Sequence, residues 1–354
     1  MKNYHCQQCN QPIFFNSEVC INCSSILGFD PTSMEMLSLI DNGLVNNNGK
    51  RVLIDHYGRE FLQCQNGVDY NVCNWLVPGD SQHVLCKGCQ FNRTIPNLSN
   101  PANIRRWYNF EQAKKRLLFT LFKLKLPIAD GHTHPDKGLI FDLIEDHRTN
   151  LYDYSGDFVH TGYLDGLITI NALEADDVER AVVKQQMNET YRTLIGHLRH
   201  ESGHFIWPFI QNNESLMAEF KTLFGDVSEN YTQTLENYYQ NGPALDWQQN
   251  FISAYASSHP SEDWAEVWGH YLFIYDATET ALAYGIIPPT NKRLGIQARV
   301  LLWQKLSVVL NELNRSAGLD DAYPFVLNKT VRQKLTFIEK TIDFMRVEQD
   351  ALAS

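Results

Sequence analysis

The chain has 354 residues, 44% of them hydrophobic and 20% charged, with a formal net charge of -11. That balance fits a globular chain long enough for two domains and excludes a disordered one. The acidic excess opposes generic binding to nucleic acid or to an anionic membrane.

No run approaches the ~20 apolar residues needed to cross a bilayer. The opening "MKNYHCQQCN" lacks the apolar stretch of a signal peptide. A cytoplasmic location is therefore expected. All eight cysteines lie between Cys6 and Cys89. In a reducing compartment, thiols clustered in this way point to metal rather than to disulfides.

The first set, "CQQCNQPIFFNSEVCINC", holds two C-x-x-C turns, Cys6 with Cys9 and Cys20 with Cys23. Each turn aims two thiolates at one ion, and together they complete a tetrahedral site for a structural zinc. Iron is the alternative, because thiolate number alone does not select the metal. The second set is Cys64, Cys73, Cys86 and Cys89, with a regular knuckle in "CKGC" and uneven spacing before it. It predicts a second structural zinc, against the alternative of buried thiols packing as small hydrophobes. Four thiolates fill the coordination shell and leave no position for water, so neither site is expected to be catalytic.

"QFNRTIPNLSNPANIRRW" reads as a linker rich in Asn and Pro, which places a domain boundary near residue 100. The basic residues between Arg105 and Lys125, Lys114 and Lys115 among them, read as the solvated face of a helix. "PIADGHTHPDKG" reads as an exposed loop despite His132 and His134. Short strands are expected from Leu139 to Asp165 and a strand at "GLITINA", either structural or an edge that binds substrate backbone. From Glu174 a single long helix is expected to run into "LIGHLRHESGHFIW", and "ESLMAEFKTLFG", "YTQTLENYYQ", "DWQQNFISAYA" and the apolar-periodic runs beyond them predict further helices.

His200-Glu201-Ser202-Gly203-His204 fits H-E-x-x-H. On a helix the two imidazoles sit one above the other and reach one ion, and Glu201 beside them can take a proton from a water at the metal. No third histidine follows at the spacing that would complete the ligand set, since positions 207 and 210 are Trp and Ile. "YASSHPSEDWAEVWGHY" supplies the best candidate. Pro260 can open a helix, on which Glu262, Glu266 and His270 share one face. Glu262 is assigned as third ligand and Glu266 as acceptor for the other ring N–H of a zinc-bound histidine, with the exchange of their roles as the alternative. Tyr255 is placed to donate to an oxyanion, and His197 and His270 are weaker candidates for that task.

The segments "CNWLVPG", "FNRTIPNLSNP", "GLITINALEADDVER", "YRTLIGHLRHESGHFIW", "NGPALDW" and "SAYASSHPSEDWAEVWGHYL" resemble the bacterial zinc-binding metallopeptidases that carry an N-terminal zinc ribbon. The Tyr255 and Glu262 arrangement is also similar to that of gluzincin peptidases such as anthrax lethal factor and the Mlc titration factor. "WGHYLF" departs from that pattern outside the candidate ligands. The resemblance implies an α+β, mostly α chain. A ribbon module with two four-cysteine sites would span residues 1–100, and a largely helical zincin-like domain with a small β-sheet would span 101–354. It also implies His200, His204 and Glu262 around a catalytic zinc, Glu201 as base, Tyr255 as transition-state donor, and a peptide or protein substrate. The rival expectation is a ribbon module that binds a protein partner beside a non-catalytic metal site.

Overall fold

The described residues of the computed structural model are 2–46, 49–146, 159–186, 189, 191–290 and 292–353. They form two compact units, Met1–Lys123 with Ile128–Arg180, and Leu124–Pro127 with Ala181–Ser354. The fold is α+β. Among the described residues, no helix is long and apolar enough to cross a membrane.

In the first unit, β1 (Tyr4–His5) and β2 (Pro12–Ile13) form an antiparallel ribbon beside the first four cysteines. An antiparallel meander follows, built from β3 (Ile26–Asp30), β4 (Glu35–Val45), β5 (Arg51–Ile54), β6 (Glu60–Gln63) and β7 (Leu76–Pro78). Its inward residues Leu37, Leu39, Leu53, Phe61 and Leu76 make a small core. Gly28 on β3 makes room for Leu76, because a Cβ there would lie 2.4 Å from the leucine side chain and force it to move. The short α1 (Gln65–Tyr70) starts directly after Cys64.

The stretch read as a linker is more ordered than expected. Residues Asn92–Thr94 form β8, and α2 (Pro101–Lys123) begins at a proline, which costs nothing at a helix's first turn. A second sheet runs in the order β10 (Gly162–Leu164), β11 (Leu167–Asn171), β9 (Ile140–Ile144), β8. β11 is antiparallel to β10 and parallel to β9. Both sides of "GLITINA" are thus already hydrogen-bonded, and its reading as a substrate-binding edge is overturned. Part of the expected strand region, residues 147–158, lies outside the described residues. The sheet expected within residues 101–354 belongs to the first unit.

The basic face of α2 also departs from expectation. Lys114 and Lys115 are both fully buried, on the side that carries Trp107, Phe110 and Leu118. Lys114 pairs with buried Glu111 at 2.8 Å. Lys115 donates to the Val72 carbonyl at 3.3 Å and reaches the Asn74 side chain at 3.5 Å, so it flanks Cys73 on both sides. Burial opposes its charge, but the thiol groups of Cys73, Cys89 and Cys86 and the carboxylate of Glu111 outweigh that and raise its pKa. Lys115 thus faces the second cysteine cluster and Lys114 is paired internally with Glu111, where a solvated face was expected, while Arg105 on the same helix is exposed.

The regular elements described in the second unit are all helices. α3 (Asp177–Gln186) runs across the division of the chain. The expected single helix is broken after it, because Thr193 is extended and caps a new helix, α4 (Leu194–Gln211), accepting the Gly196 N–H at 3.0 Å. α5 (Glu214–Phe224), α6 (Tyr231–Asn241) and the one-turn α7 (Trp247–Asn250) follow. "DWQQNFISAYA" is otherwise non-helical. Phe251 is extended, and Ser253 closes a 3-10 turn over Tyr255–Ser257 by accepting the Ala256 N–H at 3.1 Å. α8 (Pro260–Ala283) opens on Pro260, capped by His259 Nδ1 accepting from Ser261 N at 3.1 Å. α9 (Ile296–Ser316) and α10 (Lys329–Ala353) complete the unit. Its core is an aromatic cluster in which Trp264 lies 6.3 Å from Phe220 and 6.1 Å from Phe337, measured between ring centres.

Candidate metal centre

α4 and α8 approach closely because Gly203 has no side chain. A Cβ there would stand 3.0 Å from the Ala265 Cα and 3.1 Å from the Trp268 ring. Two indoles lock the crossing. Trp264 Nε1 donates to the Gly203 carbonyl at 2.8 Å, and Trp268 Nε1 donates to Ser202 Oγ at 2.9 Å. Arg199 and Asp276 add an ion pair at 2.7 Å. The packed face of α4 is thereby fixed against the first turns of α8.

This packing brings His200 and His204 to Glu262. His200 Nε2 lies 3.0 Å from Glu262 Oε2 and 3.3 Å from His204 Nε2, and His204 Nε2 lies 3.4 Å from Glu262 Oε1. A tetrahedral zinc with bonds of about 2.0–2.1 Å separates its ligand atoms by about 3.3 Å, so the spacing and the donor types suit that ion. Glu262 is only 1% exposed and would be costly to bury as a charge without a positive partner. Burial raises its pKa, but the hydrogen bonds from His200 and His204 outweigh that and carry it well below the ordinary carboxylate value. Burial likewise disfavours charge on His200, and Glu262 and then Glu266 reverse the effect and raise its pKa well above normal. The carboxylates around these histidines thus favour positive charge at the centre of the cluster.

Glu266 sits on the other side of His200, with Oε1 2.8 Å from Nδ1. Its second oxygen accepts from Ser253 Oγ at 2.6 Å. His200 therefore has one ring nitrogen oriented by a carboxylate and the other facing the cluster. Glu201 is buried, and its charge bears on His200, Tyr231 and Tyr255. The Tyr255 ring lies 6.1 Å from that of His200. Burial, then the charge of Glu262, raises the Tyr255 pKa far above its ordinary value. His270 hydrogen-bonds to Tyr323 through Nδ1 at 2.9 Å and does not join the cluster, nor does His197.

Two participants have no signal in the sequence. Tyr231, on α6, donates to Glu262 Oε1 at 3.0 Å, and Ser253 holds Glu266. Neither belongs to a spaced motif, and only the path of the chain between α5 and α8 brings them in.

In the first unit, the Sγ atoms of Cys6, Cys9, Cys20 and Cys23 gather in one cluster and those of Cys64, Cys73, Cys86 and Cys89 in another. Sulfur separations of 3.6 Å for Cys6–Cys23, Cys9–Cys20 and Cys73–Cys86 exceed a disulfide's roughly 2 Å. They match the roughly 3.8 Å expected for zinc–sulfur bonds of about 2.3 Å. His132 and His134 lie in an exposed loop, where Asp130 accepts the His132 and Thr133 N–H groups.

Comparison with known proteins then places the chain. Residues 103–341 match the family model described as "Putative zinc-binding metallo-peptidase". The chain belongs to that family. Residues 3–100 of this zinc-binding metallopeptidase family member match a zinc-ribbon domain. It is 38% identical over 351 residues to uncharacterized proteins of Mycobacterium bovis and of two strains of Mycobacterium tuberculosis, covering 97% of this chain and 96% of each relative. No solved structure gives a significant match.

Proposed function

We propose that the protein is a zinc-dependent peptide hydrolase in which His200, His204 and Glu262 hold the catalytic ion. The observation that carries this reading is the meeting of two imidazole Nε2 atoms and a buried carboxylate at tetrahedral spacing, with Glu201 buried beside them. Zinc bound there supplies a Lewis acid that acidifies a water and polarises a peptide carbonyl. Glu201 takes the proton of the attacking water at its carboxylate and passes it to the leaving amine. Tyr255, whose raised pKa keeps the phenol protonated, donates to the oxyanion. Glu266, braced by Ser253, accepts the Nδ1 proton of His200 and so fixes the tautomer that presents Nε2.

The two cysteine clusters are read as closed structural zinc sites in a ribbon module spanning residues 1–100, and the hydrolase as residues 101–354. The family matches at 3–100 and 103–341 support that division. The compact units are drawn differently, because α2 and the second sheet fold with the ribbon. Cleavage of a peptide library by the zinc-loaded protein, compared with Glu201→Gln, tests the reading. Loss of the base should lower the rate by about 10²–10⁴-fold while zinc is retained. Undiminished cleavage by the variant would remove Glu201 from the mechanism.

A further inference from the structure

We infer that Tyr231 is a positioning residue that fixes the Glu262 carboxylate for zinc and ties helix α6 to the centre. The inference rests on the reading of His200, His204 and Glu262 as a zinc site. Glu262 has two oxygens and one task. His200 Nε2 faces Oε2 at 3.0 Å, while the Tyr231 hydroxyl donates to Oε1 at 3.0 Å. Oε1 also lies 3.4 Å from His204 Nε2, so the hydroxyl holds the oxygen on the His204 side and with it the carboxylate orientation in which Oε2 faces His200.

Tyr231 is itself well held. It opens α6, whose cap Asn230 accepts the Gln233 N–H at 3.1 Å. Its ring meets the ring of His259 edge-on at 5.2 Å. His259 is the residue that caps α8, and its Nε2 lies 3.4 Å from the Glu229 carbonyl. The beginnings of α6 and α8 are thus joined at three points within a few residues of Glu262.

Along the rest of α6, the Tyr238 ring meets that of Tyr255 edge-on at 5.8 Å. None of the helix's eleven residues is buried. It lies between Gly225 and Gly242, whose φ angles of +109° and +80° are left-handed backbone that favours glycine. A helix with no buried face draws little stability from packing and opens easily. A hydrogen bond to a buried charged group is therefore a large share of what holds α6 down. The Tyr231 hydroxyl is the link that couples Glu262, and zinc held by it, to order in α6.

The test removes that hydroxyl alone. Zinc is titrated out of the full-length protein with a chromophoric chelator for the wild type, Tyr231→Phe, Tyr239→Phe and Glu262→Gln. His200→Gln serves as the reference that lacks the histidine-site ion. Partners that orient metal ligands are worth about 10–100-fold in metal affinity, so Tyr231→Phe should weaken that site by this factor. Tyr239→Phe, an exposed phenol on the same helix, should leave it unchanged. Amide hydrogen exchange over residues 231–241 should slow on zinc loading in the wild type and not in Tyr231→Phe. Wild-type zinc retention in Tyr231→Phe, or equal slowing of exchange, would overturn the inference while leaving the zinc site standing. Retention in Glu262→Gln as well would instead remove Glu262 as a ligand. An unchanged thermal midpoint for Tyr231→Phe separates these outcomes from misfolding.

Discussion

Two glycines at the crossing of α4 and α8 allow the packing that builds the site to be tested. At Gly203 an added Cβ would meet the Ala265 Cα at 3.0 Å and the Trp268 ring at 3.1 Å. Ordinary contact begins near 3.4 Å, so Gly203→Ala must push the helices apart by a few tenths of an ångström or displace the indole. Overpacking of this kind costs about 1–3 kcal/mol, and alanine returns up to about 1 kcal/mol of helix propensity. The net loss is about 0–2 kcal/mol, centred near 1 kcal/mol. At Gly269 the nearest atom to an added Cβ is Arg199 Cβ at 3.6 Å, an ordinary contact. Gly269→Ala should then be neutral, or stabilising by up to about 1 kcal/mol. Native-state hydrogen exchange over residues 194–211 and 260–283 reads the stability of this pair directly. Gly203→Ala should exchange about fivefold faster there, and at most about 30-fold, with Gly269→Ala no faster than wild type. Because His200 and His204 flank Gly203, zinc should also leave Gly203→Ala more readily. Unchanged protection in Gly203→Ala, or equal effects of the two substitutions, would refute the claim that this close approach sets the ligand spacing.

Other consequences can be measured separately. Tyr255→Phe should lower turnover by about 10²–10³-fold with zinc retained, as seen when a single oxyanion donor is removed. Lys115→Met takes away a buried positive charge beside the second cysteine cluster, and zinc bound there should exchange into a chelator at least tenfold faster; exposed Lys125→Met should have no such effect. Burial pushes the His270 pKa down to about 4, with Glu266 opposing and Arg199 assisting. Between pH 6.5 and 4 the unfolded chain therefore binds a proton that the folded one does not, and His270 removes about 3 kcal/mol of stability as pH falls through that window. Zinc-free His270→Gln should lose less stability than zinc-free wild type over the same range, and parallel curves would contradict the assignment.

The parts of this molecule written locally were legible, and those that depend on distant packing were not. Residues 200 and 204 fall on one helical face by periodicity alone. The pairs Cys6–Cys9 and Cys20–Cys23 are set by tight turns. Glu262 could be chosen because a buried carboxylate needs a positive partner, although the contact joins helices sixty residues apart. Lys114 and Lys115 misled because charge usually marks solvent, yet here Glu111 on the same helix compensates Lys114 and the cysteine cluster of another segment compensates Lys115. Tyr231 left no trace, since nothing in "YTQTLENYYQ" says where that helix lies. The strand at "GLITINA" was recognisable by its alternation, but its place inside the sheet depends on which neighbours arrive on each side.

The central claim is a third metal ion held by His200, His204 and Glu262, separate from the cysteine clusters. Elemental analysis of zinc per chain, on purified wild type and on His200→Gln, measures it most directly. The account predicts three zinc ions in the wild type and two in the variant. The same count in both proteins would contradict it.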